Sequence, residues 1–478
     1  MAPVRDTQPP ATAAQCRDWY AAIDTEVAAG NVRDAAETRI AGYPYLRMNR
    51  FAASFKTEAA HDTKILAALI GYLRERDLAA REMEIANLSS PARTSLGIAE
   101  VDNVRQQLER CAQLIADADA AAWGEREASK VRLLNLLTVP DAYAEWKRTL
   151  GIYALAVTQI FAGVSRWQED TLASFGRGDG PRGLQHYVPA ATAQEVSLLT
   201  SNAGALGIPA LTTAQWQALL QRHAPILQVE ARGDFDRIGA IVFRGKEPAV
   251  DANESIAYQR VAFTRFNGQT LVQLVYTFWF SERPRHGALD LLGGPLDGLI
   301  VRVTLAPDGE PLMVDSIHAC GCYHVFFPGP RLAEISAPSA AMEWAFVPKR
   351  LPALKPGQRI AFRIESGTHY ITDIRAVDTI APDATPEATT YRTTDENSLR
   401  SVPLPSGGRR NLYGPDGLVA TSARGERFFL WVTGINSPGA MRQWGQHATA
   451  FVGRRHFDDV DLIEKRFRLI DSRAAIVR

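Results

Sequence analysis

The dipeptide Asn267-Gly268 constrains this chain more than any other feature. It lies between two runs rich in β-branched and aromatic residues, Ser255–Arg265 and Thr270–Phe280. A two-residue type I′ turn needs positive φ at both central residues, which Asn and Gly adopt most cheaply, so the runs read as an antiparallel hairpin. The second run contains LVQLVYTFWF, nearly unbroken in apolar residues. That pattern predicts a central strand covered on both faces. A second hairpin follows, from Leu296–Leu305 through Ala306-Pro307-Asp308-Gly309 into Pro311–Phe327. Trp344–Pro348, Arg359–Glu365, His369–Val377 and Phe428–Val432 read as further strands, Thr379–Thr389 as a surface excursion, and the charged tail Phe457–Arg478 as ending in a short helix.

Before Ile226 the apolar spacing is different. Ile98, Val101, Val104, Leu108, Cys111, Leu114 and Ile115 recur at steps of three and four, the stripe of an amphipathic helix. Ile65, Leu66, Leu69, Ile70 and Leu73 repeat it, and a last helix is expected around Thr212–Arg222. The fold class is therefore α+β, an N-terminal all-helical domain followed by a mainly antiparallel β domain, sandwich or barrel-like. The expected divisions are a flexible leader at 1–15, a helical domain at 16–225 and a β domain at 226–478. The glycine-rich stretch Phe175–Pro189 follows no strand in phosphate-loop spacing; it reads as a loop, and no nucleotide cofactor is expected.

Thr149–Ser165 is the most apolar stretch, 17 residues without a charge. It falls short of a membrane span and is expected as a buried helix in the helical domain, with peripheral membrane contact through 149–165 as the alternative. No transmembrane segment is expected. Lys+Arg and Asp+Glu balance at 53 each, so no global field favours nucleic acid as a partner. The leader, MAPVRDTQPPATAAQ, lacks an apolar core of its own. It reads as the tether left by a removed signal, which puts the protein in the periplasm or on a lipid anchor; the alternative is a cytoplasmic terminus. Four cysteines exclude a disulfide-dense scaffold, and Cys16 and Cys111 read as separate, small buried hydrophobes.

The chemistry concentrates in His318-Ala-Cys320-Gly-Cys322-Tyr-His324. On one extended strand these four donors share a face, but i and i+6 stand roughly 20 Å apart, so a single ion could collect them only if the chain kinks at Gly321. Thiolate plus imidazole suits one transition-metal ion, copper or zinc. His369 and His447 are the preferred further ligands. Arg424, Arg427, Arg442, Arg454 and Arg455 are candidates for an anion-binding surface, substrate included. No G-x-S-x-G, H-E-x-x-H or Walker loop occurs. The expected function is a metal-binding protein, a metalloenzyme of oxidoreductase or hydrolase type. The alternatives are a non-enzymatic envelope binding protein with a Cys320–Cys322 disulfide, or a cysteine-dependent hydrolase with His318 or His324 as base.

Overall fold

A computed structural model of the chain describes residues 10–98, 101–125, 127–177, 183–190, 202–287, 289–339, 342–378 and 388–470. The N-terminal part is mainly helical: α1 (Ala13–Ala29), α2 (Arg50–Ala53), α3 (Lys56–His61), α4 (Thr63–Asn87), α5 (Ser90–Ser95), α6 (Val104–Glu125), α7 (Glu127–Leu136), α8 (Glu145–Leu150) and α9 (Tyr153–Ser174). Local chemistry sets the starts. Thr12 and Gln15 close a capping box at α1, and Asp62 accepts the Lys64 and Ile65 amides at α4. Between α1 and α2 a small hairpin, β1 (Thr38–Ile40) with β2 (Tyr43–Met48), lies on α4.

This hairpin carries a buried ionic group that the apolar pattern does not announce. Arg47 is fully buried, its Nε 2.9 Å from Asp77 Oδ1 and its Nη2 2.7 Å from Glu84 Oε2. Burial would lift the Glu84 carboxyl, but Arg47 and Arg39 outweigh it and hold the group down to about 2. A disulfide joins Cys16 of α1 to Cys111 of α6, with Cα atoms 5.2 Å apart. The reading of these cysteines as unlinked hydrophobes is thereby corrected: packing of α1 on α6 pairs residues 95 positions apart, which local spacing does not reveal.

The rest is organised on a ten-stranded sheet in the order β11-β10-β9-β8-β7-β15-β3-β4-β13-β14. Its strands are β3 (Leu184–Pro189), β4 (Ile226–Glu230), β7 (Ile256–Phe266), β8 (Gln269–Arg283), β9 (Gly294–Leu305), β10 (Pro311–His318), β11 (Val325–Pro328), β13 (Gln358–Ile364), β14 (Ile371–Asp378) and β15 (Ala388–Asp395). The smaller strands β5 (Ala240–Arg244), β6 (Glu247–Asp251) and β12 (Leu332–Glu334) pair outside it. Pairing is antiparallel except at β13/β4, β15/β3 and β15/β7. The Asn267-Gly268 turn forms as expected, with φ of 49° and 72°. The sheet curls into a half-barrel, bringing Phe327 of β11 within 6.2 Å of Phe362 of β13, ring centre to ring centre. Tyr276, Phe278 and Phe280 face its interior, while Val275 and Trp279 face an outer core with Met441 and Trp444. Helix α10 (Thr213–His223) contributes Leu219 and Leu220 to the interior core.

Several local expectations change. Leu184–Pro189, read as the end of a loop, is a strand inside the large sheet. Pro311–Phe327 is two strands, because Gly321 (φ 91°) and Tyr323 (φ 59°) turn the chain between them. Phe428–Val432, read as a strand, is helix α11 (Arg427–Leu430) with a further turn, and no strand forms at Trp344–Pro348. The described part of the tail holds turns and a strand, Phe467–Leu469; its end, where a short helix is expected, lies outside the described residues. Residues 1–9 of the leader, 379–387 of the excursion and the last eight positions lie outside the described residues. The apolar stretch 149–165, expected inside a helical core, forms the end of α8 and most of α9, in which no residue is fully buried. Among the described residues no helix is long and apolar enough to cross a membrane.

Cys16→Ser/Cys111→Ser is expected to lower unfolding free energy by about 2–4 kcal/mol, read from urea midpoints with and without reductant. Arg47→Ala strands Asp77 and Glu84 as buried unpaired charges and is expected to cost about 3–5 kcal/mol. With Arg47 present, the depressed Glu84 contributes stability above the ordinary carboxylate range that is lost as pH falls toward about 2; in the variant, calorimetry should show acid unfolding beginning at higher pH.

Candidate functional site

Four chain segments end at one mouth of the half-barrel. They are the end of β8 (Phe280–Arg283), the start of β9 (Gly294–Asp297), the end of β10 at His318, and the turn Glu365–Tyr370 between β13 and β14. Barrel mouths are common ligand sites because strand ends and turns can aim side chains inward from a rigid frame.

Asp297 is the hub. It is fully buried and stands opposite Phe280 in the β8–β9 register. His369 Nδ1 donates to Asp297 Oδ2 at 2.7 Å, and His318 Nδ1 stands 3.5 Å from Oδ1. The His369 ring stacks on Phe280 at 3.9 Å, and its Nε2 donates to the Phe235 carbonyl at 3.2 Å, with Asp236 Oδ1 3.5 Å away. Asp236 is held in turn by the Gly367 and Arg232 amides and the Ser366 hydroxyl. Burial would lift the Asp297 carboxyl, but the two imidazoles hold it well below the usual range.

The two histidines are driven apart. Burial opposes a charge on His369, yet hydrogen bonding to Asp236 and Asp297 prevails and raises its pKa, favouring the imidazolium. His318 has one carboxylate, and burial dominates, assisted by Arg283 and His369, so its pKa is lowered and it is neutral. Groups whose environments separate their titrations in this way divide acid and base roles. With Nδ1 toward Asp297, His318 presents Nε2, which is buried and makes no hydrogen bond among the described residues.

Aromatic and charged groups close the mouth. Tyr323 and Tyr370 meet the His318 ring edge-on at 5.1 and 5.5 Å, and Arg283 Nη2 donates to the Tyr370 hydroxyl at 3.2 Å. Trp167 of α9 lies 5.2 Å from Tyr323, ring to ring. Glu426, half-buried beside Arg283, Arg424 and Arg442, is pushed up to about 7 by burial despite those three cations. Leu296, Tyr323 and His369 have φ of 55°, 59° and 55°. Left-handed non-glycine residues cost about 1–3 kcal/mol each and persist where surrounding structure enforces them, often at functional sites.

The sequence-selected residues divide. His318 and His369 meet through Asp297. His324 instead places Nε2 2.9 Å from Asp315 Oδ2 and stacks on Phe326, and His447 is buried beside Phe457. Cys320 and Cys322 are free thiols in the turn, packed in the outer core, so no Cys320–Cys322 disulfide forms. The contact with Cys320, together with burial, lifts the Cys322 thiol well above its usual value, which disfavours a thiolate nucleophile. Among the described residues no three His, Cys, Asp or Glu side chains converge where a metal ion could sit.

The five arginines do not form one surface. Arg424 spans the Pro295 and Leu296 carbonyls, Arg442 the Cys320, Asn436 and Ser437 carbonyls, and Arg427 the Arg424 carbonyl. Arg454 pairs with Asp141 and Glu145, and Arg455 binds Thr449 and the Trp344 carbonyl. Arg283, Asp297, Tyr323, Tyr370 and Glu426 escape a motif-based reading. One signal was available: Asp297 interrupts an apolar strand, LDGLIVRV, where a carboxylate is out of place.

Because Glu426 has a raised pKa in the fold, its neutral form is favoured. The associated stability is full below the ordinary value of 4.5 and is lost as pH rises through about 7. Glu426→Gln is expected to flatten that part of the stability–pH curve, measured by thermal melts across the range. An unchanged slope would show that Glu426 titrates normally.

Compared with protein-family models, with curated proteins and with solved structures, the chain matches none, and its site stands on its own geometry.

Proposed function

We propose that the barrel mouth is the active site of a hydrolase that uses general acid–base chemistry on an ester carrying an anionic group. The observation that carries this is His318: a neutral, buried imidazole anchored by Asp297 through Nδ1, with Nε2 unpartnered and the rings of Tyr323 and Tyr370 packed at its edges. In this reading His318 Nε2 takes a proton from attacking water, and Asp297 orients the ring and offsets the charge it gains. Tyr323 and Tyr370 keep their protons at neutral pH, since burial lifts both, and they donate to the developing oxyanion. Arg283 receives the anionic group, and Glu426 serves as acid to the leaving oxygen.

The unpartnered Nε2 also supports a second reading, in which His318 contributes to a copper or zinc site whose other ligands are not Cys320, Cys322 or His324. The disulfide in the helical part supports an oxidising compartment such as the periplasm. Exposed and half-exposed residues throughout 149–165 support peripheral membrane contact there, independently of the acid–base reading.

A panel of small anionic esters, followed by product release, tests the chemistry. His318→Gln and Asp297→Asn are each expected to lower turnover by about 10²–10⁴-fold, and His318→Gln, which removes a neutral ring, is expected to leave the thermal midpoint little changed. Turnover is expected to survive exhaustive chelation. Activity lost on chelation and restored by zinc or copper favours the metal reading, and activity indifferent to His318→Gln overturns both.

A further inference from the structure

We infer that the exposed apolar face shared by α8, α9 and α11 docks on an anionic lipid bilayer, and that the mouth beside it takes an amphiphilic ester from that surface. The substrate half rests on the acid–base reading above; the docking half does not.

Helices α8 and α9 pack on each other and on the turn Trp431–Thr433 that continues α11. The Ala144 amide donates to the Gly434 carbonyl at 2.8 Å and Arg148 Nε to Thr433 O at 2.6 Å, fixing α8 against the turn after α11. A side chain at Gly151 would meet Val432 at 2.6 Å, so the packing there is close. On this frame Trp146, Leu150, Ile152 and Leu155 are 58–74% exposed, and Phe428 and Phe429 are 64% and 65% exposed. Single exposed apolar residues are ordinary, but a cluster of large ones is not. Ile152 is β-branched yet held at φ 49°, so the α8–α9 junction keeps it outward against its backbone preference.

Charge selects the occupant. No acidic residue occurs between Glu145 and Glu169, whereas Lys147 and Arg166 do; Arg148 is held inward by the Thr433 and Gly453 carbonyls. Lys147 stands over the Trp146 ring at 5.7 Å and Arg427 over Phe428 at 4.4 Å. Aromatic rings with cations beside them match the boundary between acyl chains and anionic headgroups. A second copy of the same face would set these cations against one another.

The face is continuous with the mouth. Arg424 and Glu426 immediately precede Phe428 and Phe429, and α9 carries Trp167 onto Tyr323. A molecule seated in the lipid at α11 is therefore one short segment away from Arg283 and His318.

Co-sedimentation with vesicles of equal parts phosphatidylcholine and phosphatidylglycerol, against phosphatidylcholine alone, tests the docking. Wild type is expected to bind the anionic vesicles more tightly. Phe428→Ser/Phe429→Ser and, separately, Trp146→Ser/Leu150→Ser are expected to weaken binding by about tenfold or more. His318→Gln is expected to bind as wild type, so a failed acid–base reading and a failed docking surface give different results. Absence of sedimentation with anionic vesicles overturns the proposal. So does a concentration-dependent dimer, seen by light scattering, that the same substitutions disperse. Turnover of a long-chain anionic ester in vesicles should fall with binding in the two double variants; equal turnover overturns the substrate half.

Discussion

Strand β8 imposes the architecture. From Leu271 to Phe280 every side chain is buried, alternately on one face and the other. A strand that is apolar on both sides needs two layers to cover it, and ten strands cannot remain flat. The sheet answers by curling. One face closes on itself, with rings from β8, β11 and β13 meeting in the interior. The other face is covered by the long, irregular segment after β15, which supplies Leu399, Val419, Met441, Trp444 and Phe457. That segment also brings Arg424 and Glu426 to the mouth, so outer covering and site wall are one piece of chain.

The curl leaves an end, and the end collects polar groups. Asp297 sits there with too little solvent to hydrate its charge, so its ionisation depends on the two imidazoles. Their unequal surroundings then favour the imidazolium at His369 and the neutral ring at His318. His369 has two carboxylates and a carbonyl, whereas His318 has one longer contact and two aromatic edges. That separation follows from position around a shared carboxylate. Residue type alone does not produce it.

The helical part is joined to this frame by specific polar contacts as well as by apolar packing. Arg400 Nε donates to Asp34 at 2.7 Å, Gln443 donates to the same carboxylate at 3.0 Å, and Arg50 pairs with Asp458 at 2.8 Å. Phe51 adds a ring contact to Phe263 at 5.4 Å. Such contacts fix orientation, and they involve residues about four hundred positions apart in some cases. Separate contacts, of α8 with the turn after α11 and of Trp167 with Tyr323, set α8 and α9 beside the barrel mouth.

The α+β division, the Asn267-Gly268 hairpin and the doubly buried β8 were set by sequence, because each depends on side-chain period and turn chemistry within a few residues. The donor row His318 to His324 was also visible, but its meaning was not. Gly321 and Tyr323 turn the chain there, sending His318 to the mouth and the thiols and His324 elsewhere. The Cys16–Cys111 bridge, the entry of Leu184–Pro189 into the sheet and the meeting of Asp297 with His318 and His369 came from tertiary structure alone. Each joins residues distant in the chain through the curl of the sheet or the packing of helices, and a local period carries no information about which distant partner a side chain will face.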